Sequence, residues 1–129
     1  MHRRFLAAAM AAGALLALPA PASAASPDLV VSQVYGGGGN ANATYSHDFV
    51  ELFNRGQADA SLAGKSIQYA SATGTGNFGN NATQLTELPD VTLRPGEYLL
   101  VQEATGNPAV GNPLFANFVD PTPINMAGG

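Results

Sequence analysis

The sequence contains no cysteine. Without cysteine, the chain can hold neither a disulfide framework nor a zinc site with thiolate ligands. Basic side chains are also scarce, because the whole chain has 5 Lys and Arg residues against 9 Asp and Glu residues. Arg3 and Arg4 lie in the first 24 residues, so the remainder carries 3 basic and 9 acidic side chains and a net charge of −6. This balance argues against a surface that binds nucleic acid.

Long apolar runs are absent as well. The longest, residues 5–18, has 14 residues, whereas a helix that crosses the hydrocarbon core of a membrane needs about 20. It follows a basic start at residues 2–4 and precedes small residues at Ala22 and Ala24. This order predicts a signal peptide over residues 1–24, cut after Ala24, in preference to a buried alanine-rich helix. Since no cysteine follows the run to carry a lipid, we expect a secreted protein with no membrane span after cleavage.

The rest of the chain alternates short β-rich runs with clusters of Gly, Asn, Pro and Ser, and no ten-residue stretch has apolar residues at helical spacing. We therefore predict one all-β domain over residues 25–129. The expected strands lie at residues 28–35, 48–54, 62–70, 85–93 and 97–103, and a further strand begins at 124–126.

Turn signals separate these runs. Pro89 cannot donate a hydrogen bond to a neighbouring strand and predicts a bend or an edge in the fourth run. Residues 94–97, Arg-Pro-Gly-Glu, have glycine where a type II turn needs a positive φ. Residues 36–46, 71–83 and 105–123 are rich in Gly, Asn, Thr or Pro and are predicted to be irregular connections.

This pattern predicts a small antiparallel β-sandwich or barrel. The run at 124–126 stops three residues before the end of the sequence, which is too short for a full strand. We therefore expect an incomplete sandwich, in which some inward-facing apolar groups and one strand edge stay uncovered.

The ordered motifs of the chain resemble the lamin-tail domain of secreted bacterial proteins. They are DLVVSQVYGGGG at 28–39, HDFVELFN at 47–54, LAGKSIQYAS at 62–71, LRPGEYLLVQE at 93–103 and INM at 124–126. The resemblance implies an immunoglobulin-like β-sandwich that is itself non-catalytic and that binds or positions a partner. It also implies a frequent place at the N-terminal end of larger exported proteins, often beside hydrolase domains such as those of the endonuclease/exonuclease/phosphatase superfamily.

Two departures from that family pattern stand out. Lys65 occupies a position where the family usually has tryptophan, so a large apolar anchor is missing there. The family also continues beyond the INM motif with further β-structure. The resemblance therefore implies a lamin-tail-like domain over residues 25–129 that lacks its last strand or strands.

No set of residues predicts catalysis. His47 is the only histidine after residue 24, and no G-x-S-x-G motif is present to hold a nucleophilic serine. His47 and Asp48 are adjacent at the start of a strand, where we expect a solvated entry or turn instead of an acid-base pair. The convergent carboxylates that a metal-dependent phosphoesterase needs form no motif either.

The polar loops suggest weaker alternatives. GGGGN at 36–40 lacks the following Gly-Lys-Ser/Thr of a phosphate-binding loop, so we interpret it as a connection. Asn40, Asn42 and Asp48 are hard oxygen ligands near one another, which leaves calcium binding open although their spacing matches no defined calcium loop. Asn42 and Asn81 each begin an N-x-[ST] motif, which is short and common by chance.

Glu51 lies on an apolar-flanked face of the strand at 48–54. An unpaired carboxylate there would be costly, so we expect it to pair with Arg55 or with backbone N–H groups.

The prediction from the sequence therefore names no catalytic, cofactor-binding or metal-binding residue and no cofactor. It describes a non-enzymatic exported module whose partner is a protein or an extracellular polymer, with nucleic acid disfavoured. The alternative is the N-terminal piece of a secreted nuclease or phosphatase whose catalytic domain lies downstream.

Overall fold

The computed structural model describes residues 28–127, which form an all-β domain with one short 3-10 helix at Ala82–Gln84. The predicted all-β class is therefore confirmed. The predicted signal peptide at residues 1–24 lies outside the described residues. The strands are β1 (Leu29–Tyr35), β2 (Phe49–Asn54), β3 (Ala60–Ser61), β4 (Ser66–Gln68), β5 (Leu85–Glu87), β6 (Thr92–Leu93), β7 (Tyr98–Gln102) and β8 (Phe118–Val119).

The larger layer is a four-stranded sheet with the order β1-β2-β7-β8. β2 pairs antiparallel with both β1 and β7. Across the β2–β7 pair, Val50 lies opposite Val101 and Leu52 opposite Leu99. All four side chains are buried. Because directly opposed residues point to the same face of a sheet, these four residues make the inner face of the layer.

The second layer consists of two short antiparallel pairs, β3-β6 and β4-β5. Leu62 and Leu93 bring buried side chains from this layer to the core, and Ile124 and Met126 bring two more from the C-terminal segment. Together with the inner face of the larger sheet they form one apolar cluster. Two sheet layers around a shared apolar core are a β-sandwich.

The predicted strand at residues 62–70 is too long, since the ladder there covers only β4, after the two-residue β3. A turn separates the two strands, in which the Lys65 N–H donates to the Leu62 carbonyl at 3.0 Å. Gly64 has a φ of +68°, a conformation that glycine adopts without steric cost. The chain therefore reverses direction inside a run that has the composition of a strand.

The two turn signals around residue 90 are confirmed. Residues 85–93 divide at Pro89 into β5 and β6, which belong to different strand pairs. At residues 94–97, Gly96 has a φ of +81° and the Glu97 N–H donates to the Arg94 carbonyl at 3.0 Å. This turn carries the chain from β6 in one layer to β7 in the other.

The C-terminal part differs from the prediction in two respects. The irregular segment 105–123 contains one short strand, β8, which pairs parallel with β7. Residues 124–126, predicted to begin a strand, form none in the structure. Buried side-chain carboxylates, and not a neighbouring strand, accept the N–H groups of Ile124 and Met126.

Candidate functional site

Polar side chains stand at both ends of the inner face of β2. Asp48, Val50, Leu52 and Asn54 alternate along the chain and are all buried, as a period of two requires for one face of a strand. Asn54 lies at one end, where its side-chain amide donates to the carbonyls of Leu93 and Ala58 at 2.8 and 2.9 Å. Asp48 lies at the other end, beside two further buried carboxylates. We call Asp48, Glu103 and Asp120 the carboxylate cluster.

Asp48 is 2% exposed, and the prediction of a solvated entry or turn at this residue is wrong. Its Oδ1 accepts the Gly38 N–H at 2.6 Å, and its Oδ2 accepts the Met126 N–H at 2.8 Å. The carboxylate therefore joins the loop after β1 to the C-terminal segment. Burial is tolerated because both oxygens have a backbone donor, which offsets the loss of hydration.

Glu103, at the end of the neighbouring strand β7, also bonds to the C-terminal segment through a buried carboxylate. It is 2% exposed, its Oε2 accepts the Ile124 N–H at 2.8 Å, and its Oε1 accepts the Thr86 hydroxyl at 2.7 Å. Burial raises the pKa of Glu103 above its ordinary 4.5, and the nearby charges of Asp120 and Asp48 act in the same direction. The Ile124 N–H and the Thr86 hydroxyl oppose the rise, and the net shift of the pKa is upward.

Asp120 is the least satisfied member of the cluster. Its Oδ1 accepts the Thr122 N–H at 2.9 Å, whereas its Oδ2 is buried without a hydrogen-bond partner in the structure. The side chain borders a surface cavity of about 420 Å³. Leu85, Leu88 and Phe118 supply apolar walls to that cavity, and Glu87 adds a second acid.

The consecutive residues Ser46, His47 and Asp48 do not form a catalytic relay. Ser46 Oγ lies 2.9 Å from His47 Nδ1, but both Asp48 oxygens are bonded to backbone N–H groups and not to the imidazole. A serine nucleophile needs its histidine oriented by a third group. Within residues 28–127, no three His, Asp or Glu side chains are grouped so that they could hold a metal ion.

The glycine-rich loop serves close packing. A Cβ on Gly38 would overlap the backbone of His47 and Asp48, and one on Gly36 would lie 2.6 Å from the Ala127 carbonyl oxygen. Only glycine allows backbones to approach in this way. The loop interpretation is confirmed, and the glycines hold the loop against the start of β2 and the C-terminal segment.

The structure does not assemble the calcium ligands considered above. Asn40 and Asn42 are exposed, whereas the Asp48 carboxylate is buried and engaged by backbone N–H groups. Asn42 has a φ of +65° and belongs to the turn that shapes the loop tip. For Glu51 the structure supplies a partner that the sequence did not indicate, because the Ser32 hydroxyl donates to Glu51 Oε1 at 2.7 Å.

Glu103, Thr86 and Asp120 were not singled out by the sequence analysis. One signal was available for Glu103: it continues the alternation of Leu99 and Val101, the two buried residues of β7. Extending that period by one step places the glutamate on the inner face. Thr86 and Asp120 carried no comparable signal, since their burial depends on which segments pack against them.

A second feature lies at the free side of β1. In register, Val31 is opposite Leu52 and Val34 is opposite Val50, so both valines point to the inner face. They are nevertheless 55% and 58% exposed. Between β1 and β4 runs an apolar groove of about 260 Å³, which we call the β1–β4 groove. Its lining includes Leu29, Val31, Leu52, Ile67, Leu88 and Lys65.

Comparison with known proteins identifies one family. The model of the family described as Lamin Tail Domain matches residues 22–126, which is most of the chain. Searches of curated proteins and of solved structures gave no match. Within residues 28–127, no helix has the length and apolar character needed to cross a membrane.

Proposed function

The chain belongs to the lamin tail domain family, and from this premise we propose that it is an exported, non-catalytic module that binds or positions a partner. The immunoglobulin-like β-sandwich of that family accounts for the two-layer architecture described above. A domain of this kind presents loops and strand edges on a rigid scaffold, and such surfaces commonly carry binding functions.

One observation carries the non-catalytic part of the proposal: the two most deeply buried carboxylates, Asp48 and Glu103, have every oxygen engaged by groups of the protein. General acid-base catalysis requires a group that can exchange a proton with a bound substrate. In Asp48 and Glu103 all four carboxylate oxygens accept hydrogen bonds from Gly38, Met126, Ile124 and Thr86. Neither carboxylate therefore has an oxygen free to exchange a proton with a substrate.

The test for catalysis is a metal-dependent phosphoesterase assay on the purified chain. We expect no turnover of a phosphodiester substrate with Mg²⁺, Mn²⁺ or Ca²⁺. Turnover that is lost in His47→Ala or Glu51→Gln would contradict the proposal, because both side chains would then act on the substrate. A variant with an exposed substitution, Asn125→Ala, is the control for contaminating activity.

The export part of the proposal depends on residues 1–24. Expression in a bacterial host with N-terminal sequencing of the exported material should give a first residue of Ala25. Retention of the protein in the cytoplasm with an intact N-terminus would contradict it.

The binding part is tested by incubating immobilised protein with cell-wall glycans, candidate extracellular proteins and nucleic acids. We expect saturable binding of a protein or polymer and no binding of nucleic acid at physiological salt, since the described domain is acidic. Absence of binding to every class would count against a binding role.

A further inference from the structure

We propose that the β1–β4 groove binds an extended polypeptide strand from a partner, with apolar side chains at alternate positions and an acidic residue placed next to Lys65. This inference rests on the proposed binding role and names the surface and the chemistry of the ligand. The peptide strand would insert at the open side of the sandwich and extend one of the two hydrogen-bonded layers.

The first argument is the uncovered inner face of β1. Val31 and Val34 point towards the inside of the sandwich, yet each is more than half exposed. Their register partners Leu52 and Val50 are almost fully buried. The inner face of the sheet is therefore covered at β2 and becomes exposed to solvent at the edge strand β1. Inward-facing valines that stay exposed mark a place where an additional segment would bury apolar surface.

The second argument is the availability of strand edges. In the described part of the chain, β1 has β2 as its one strand neighbour, and β4 has β5 as its one strand neighbour. The sequence of β1, LVVSQVY, contains no charge and no proline, which are two of the devices that protect an edge. Addition of a strand at such an edge is a common mode of peptide recognition.

The third argument is the shape of the groove, which has one closed end. The Ala127 N–H donates to Tyr69 Oη at 3.2 Å, and the Ala127 carbonyl lies close to Gly36. Tyr69 and Gly36 directly follow β4 and β1. The C-terminal segment therefore closes the end at which both strands finish.

The fourth argument is charge. Lys65 lines the β1–β4 groove and also a neighbouring cavity of about 300 Å³, and it is exposed. The chain beyond residue 24 has only two other cations, Arg55 and Arg94, against nine acids. A cation beside an apolar groove favours a ligand that combines apolar side chains with a carboxylate.

The structure favours a partner peptide over a second copy of this chain. A β-bulge lies between Val31 and Gln33, and at this position Ser32 is tied back to Glu51. A bulge twists an edge and limits pairing to short stretches on either side. Two domains that each carry a net charge of −6 beyond residue 24 would also repel each other more strongly than one domain repels a peptide with a single carboxylate. A short peptide can also pair with one of these stretches alone.

The experiment uses the full 129-residue chain and the synthetic peptide acetyl-Glu-Thr-Val-Thr-Val-Thr-amide, with binding followed by isothermal titration. We expect saturable binding. Val31→Lys places a charge in the groove at an exposed position and should weaken binding about tenfold or more. Its matched control is Val119→Lys, because Val119 is 58% exposed on the opposite edge strand, β8, and this variant should bind like the unmodified chain.

The charge argument is tested by a reciprocal exchange. Lys65→Glu should weaken binding of the glutamate peptide about threefold, which is the range of a solvent-exposed ion pair. A peptide with Lys in place of Glu should bind the Lys65→Glu variant about as tightly as the glutamate peptide binds the unmodified chain. A peptide with proline in place of its first valine should not bind, because proline removes an N–H from the ladder. Thermal melts of each variant confirm that it is folded.

Three results would overturn the inference: no binding at millimolar peptide, equal binding by Val31→Lys, or self-association of the chain that Val31→Lys abolishes. Failure of the groove proposal can be distinguished from failure of the proposed binding role. If the Val31→Lys variant still binds a polymer or protein in the assay described above, the module is a binding domain that uses a different surface.

Discussion

Glu103 joins β7 to the C-terminal segment, and substitutions there separate the effect of its hydrogen bonds from that of its charge. In Glu103→Ala, the buried Ile124 N–H and the fully buried Thr86 hydroxyl lose their acceptor. A buried polar group without a partner costs about 1–3 kcal/mol. For two such groups the loss is about 2–6 kcal/mol, a large part of the 5–15 kcal/mol that stabilises a typical domain.

Glu103→Gln should behave differently, because glutamine has nearly the same shape as a protonated glutamic acid. Its amide oxygen can accept the Ile124 N–H, and its amide nitrogen can donate to the Thr86 hydroxyl. The substitution removes a buried charge that lies near Asp48 and Asp120. We therefore expect Glu103→Gln to be at least as stable as the unmodified chain at pH 7.

The pH dependence follows from the direction of the pKa shift. The folded chain retains a proton on Glu103 at pH values where the unfolded chain has lost it, because the folded pKa is raised above the ordinary 4.5. By linkage, this glutamic acid contributes stability that is lost as the pH rises from about 4.5 through the raised folded pKa. In Glu103→Gln this part of the pH dependence is absent.

The measurement is the free energy of unfolding from urea titrations at pH values between about 4 and 8 for the three proteins. The difference between Glu103→Gln and the unmodified chain should grow in favour of the variant as the pH rises. Parallel pH curves for these two proteins would refute the argument about charge. A loss below about 1 kcal/mol in Glu103→Ala would refute the argument about hydrogen bonds.

Gly38→Ala should destabilise the fold by about 3 kcal/mol or more, because its Cβ would overlap the backbone of His47; an unchanged melting temperature would show that the loop can move away. Lys65→Trp should raise stability by about 1–3 kcal/mol, since Lys65 borders two cavities, and a lowered melting temperature would show overpacking. Ile124→Ala should lower the free energy of unfolding by about 2–5 kcal/mol, whereas the exposed control Asn125→Ala should leave it almost unchanged. Equal losses in the two variants would contradict the core position of Ile124.

Much of the larger sheet could be predicted from local patterns. The runs that became β1, β2 and β7 have apolar and β-branched residues at strand spacing, and the Pro89 and Gly96 signals identified two bends where the structure has them. These predictions succeeded because proline fixes its own φ and lacks an N–H, and because glycine readily adopts the positive φ that the turn requires, whatever surrounds them.

The candidate site could be predicted only in part. Period-two alternation extends from Val50 to Asp48 and from Val101 to Glu103, so the inward direction of both carboxylates was present in the sequence. Their partners were not, because the N–H groups of Met126 and Ile124 come from residues 78 and 21 positions further along the chain. The residue type at one position gives no information about a hydrogen-bond donor that is distant in sequence.

The all-β class, the main strands and the absence of a disulfide or zinc-thiolate framework could be read from the chain alone, since they depend on side-chain type and short-range spacing. Tertiary structure decided that two-residue strands such as β8 form, that Ile124 and Met126 enter the core without belonging to a strand, and that Val31 stays exposed while Leu52 is buried. Each of these depends on which distant backbone supplies the neighbouring donor, acceptor or covering side chain. Hydrogen bonding and burial are properties of pairs of segments, so they are decided only when the segments meet.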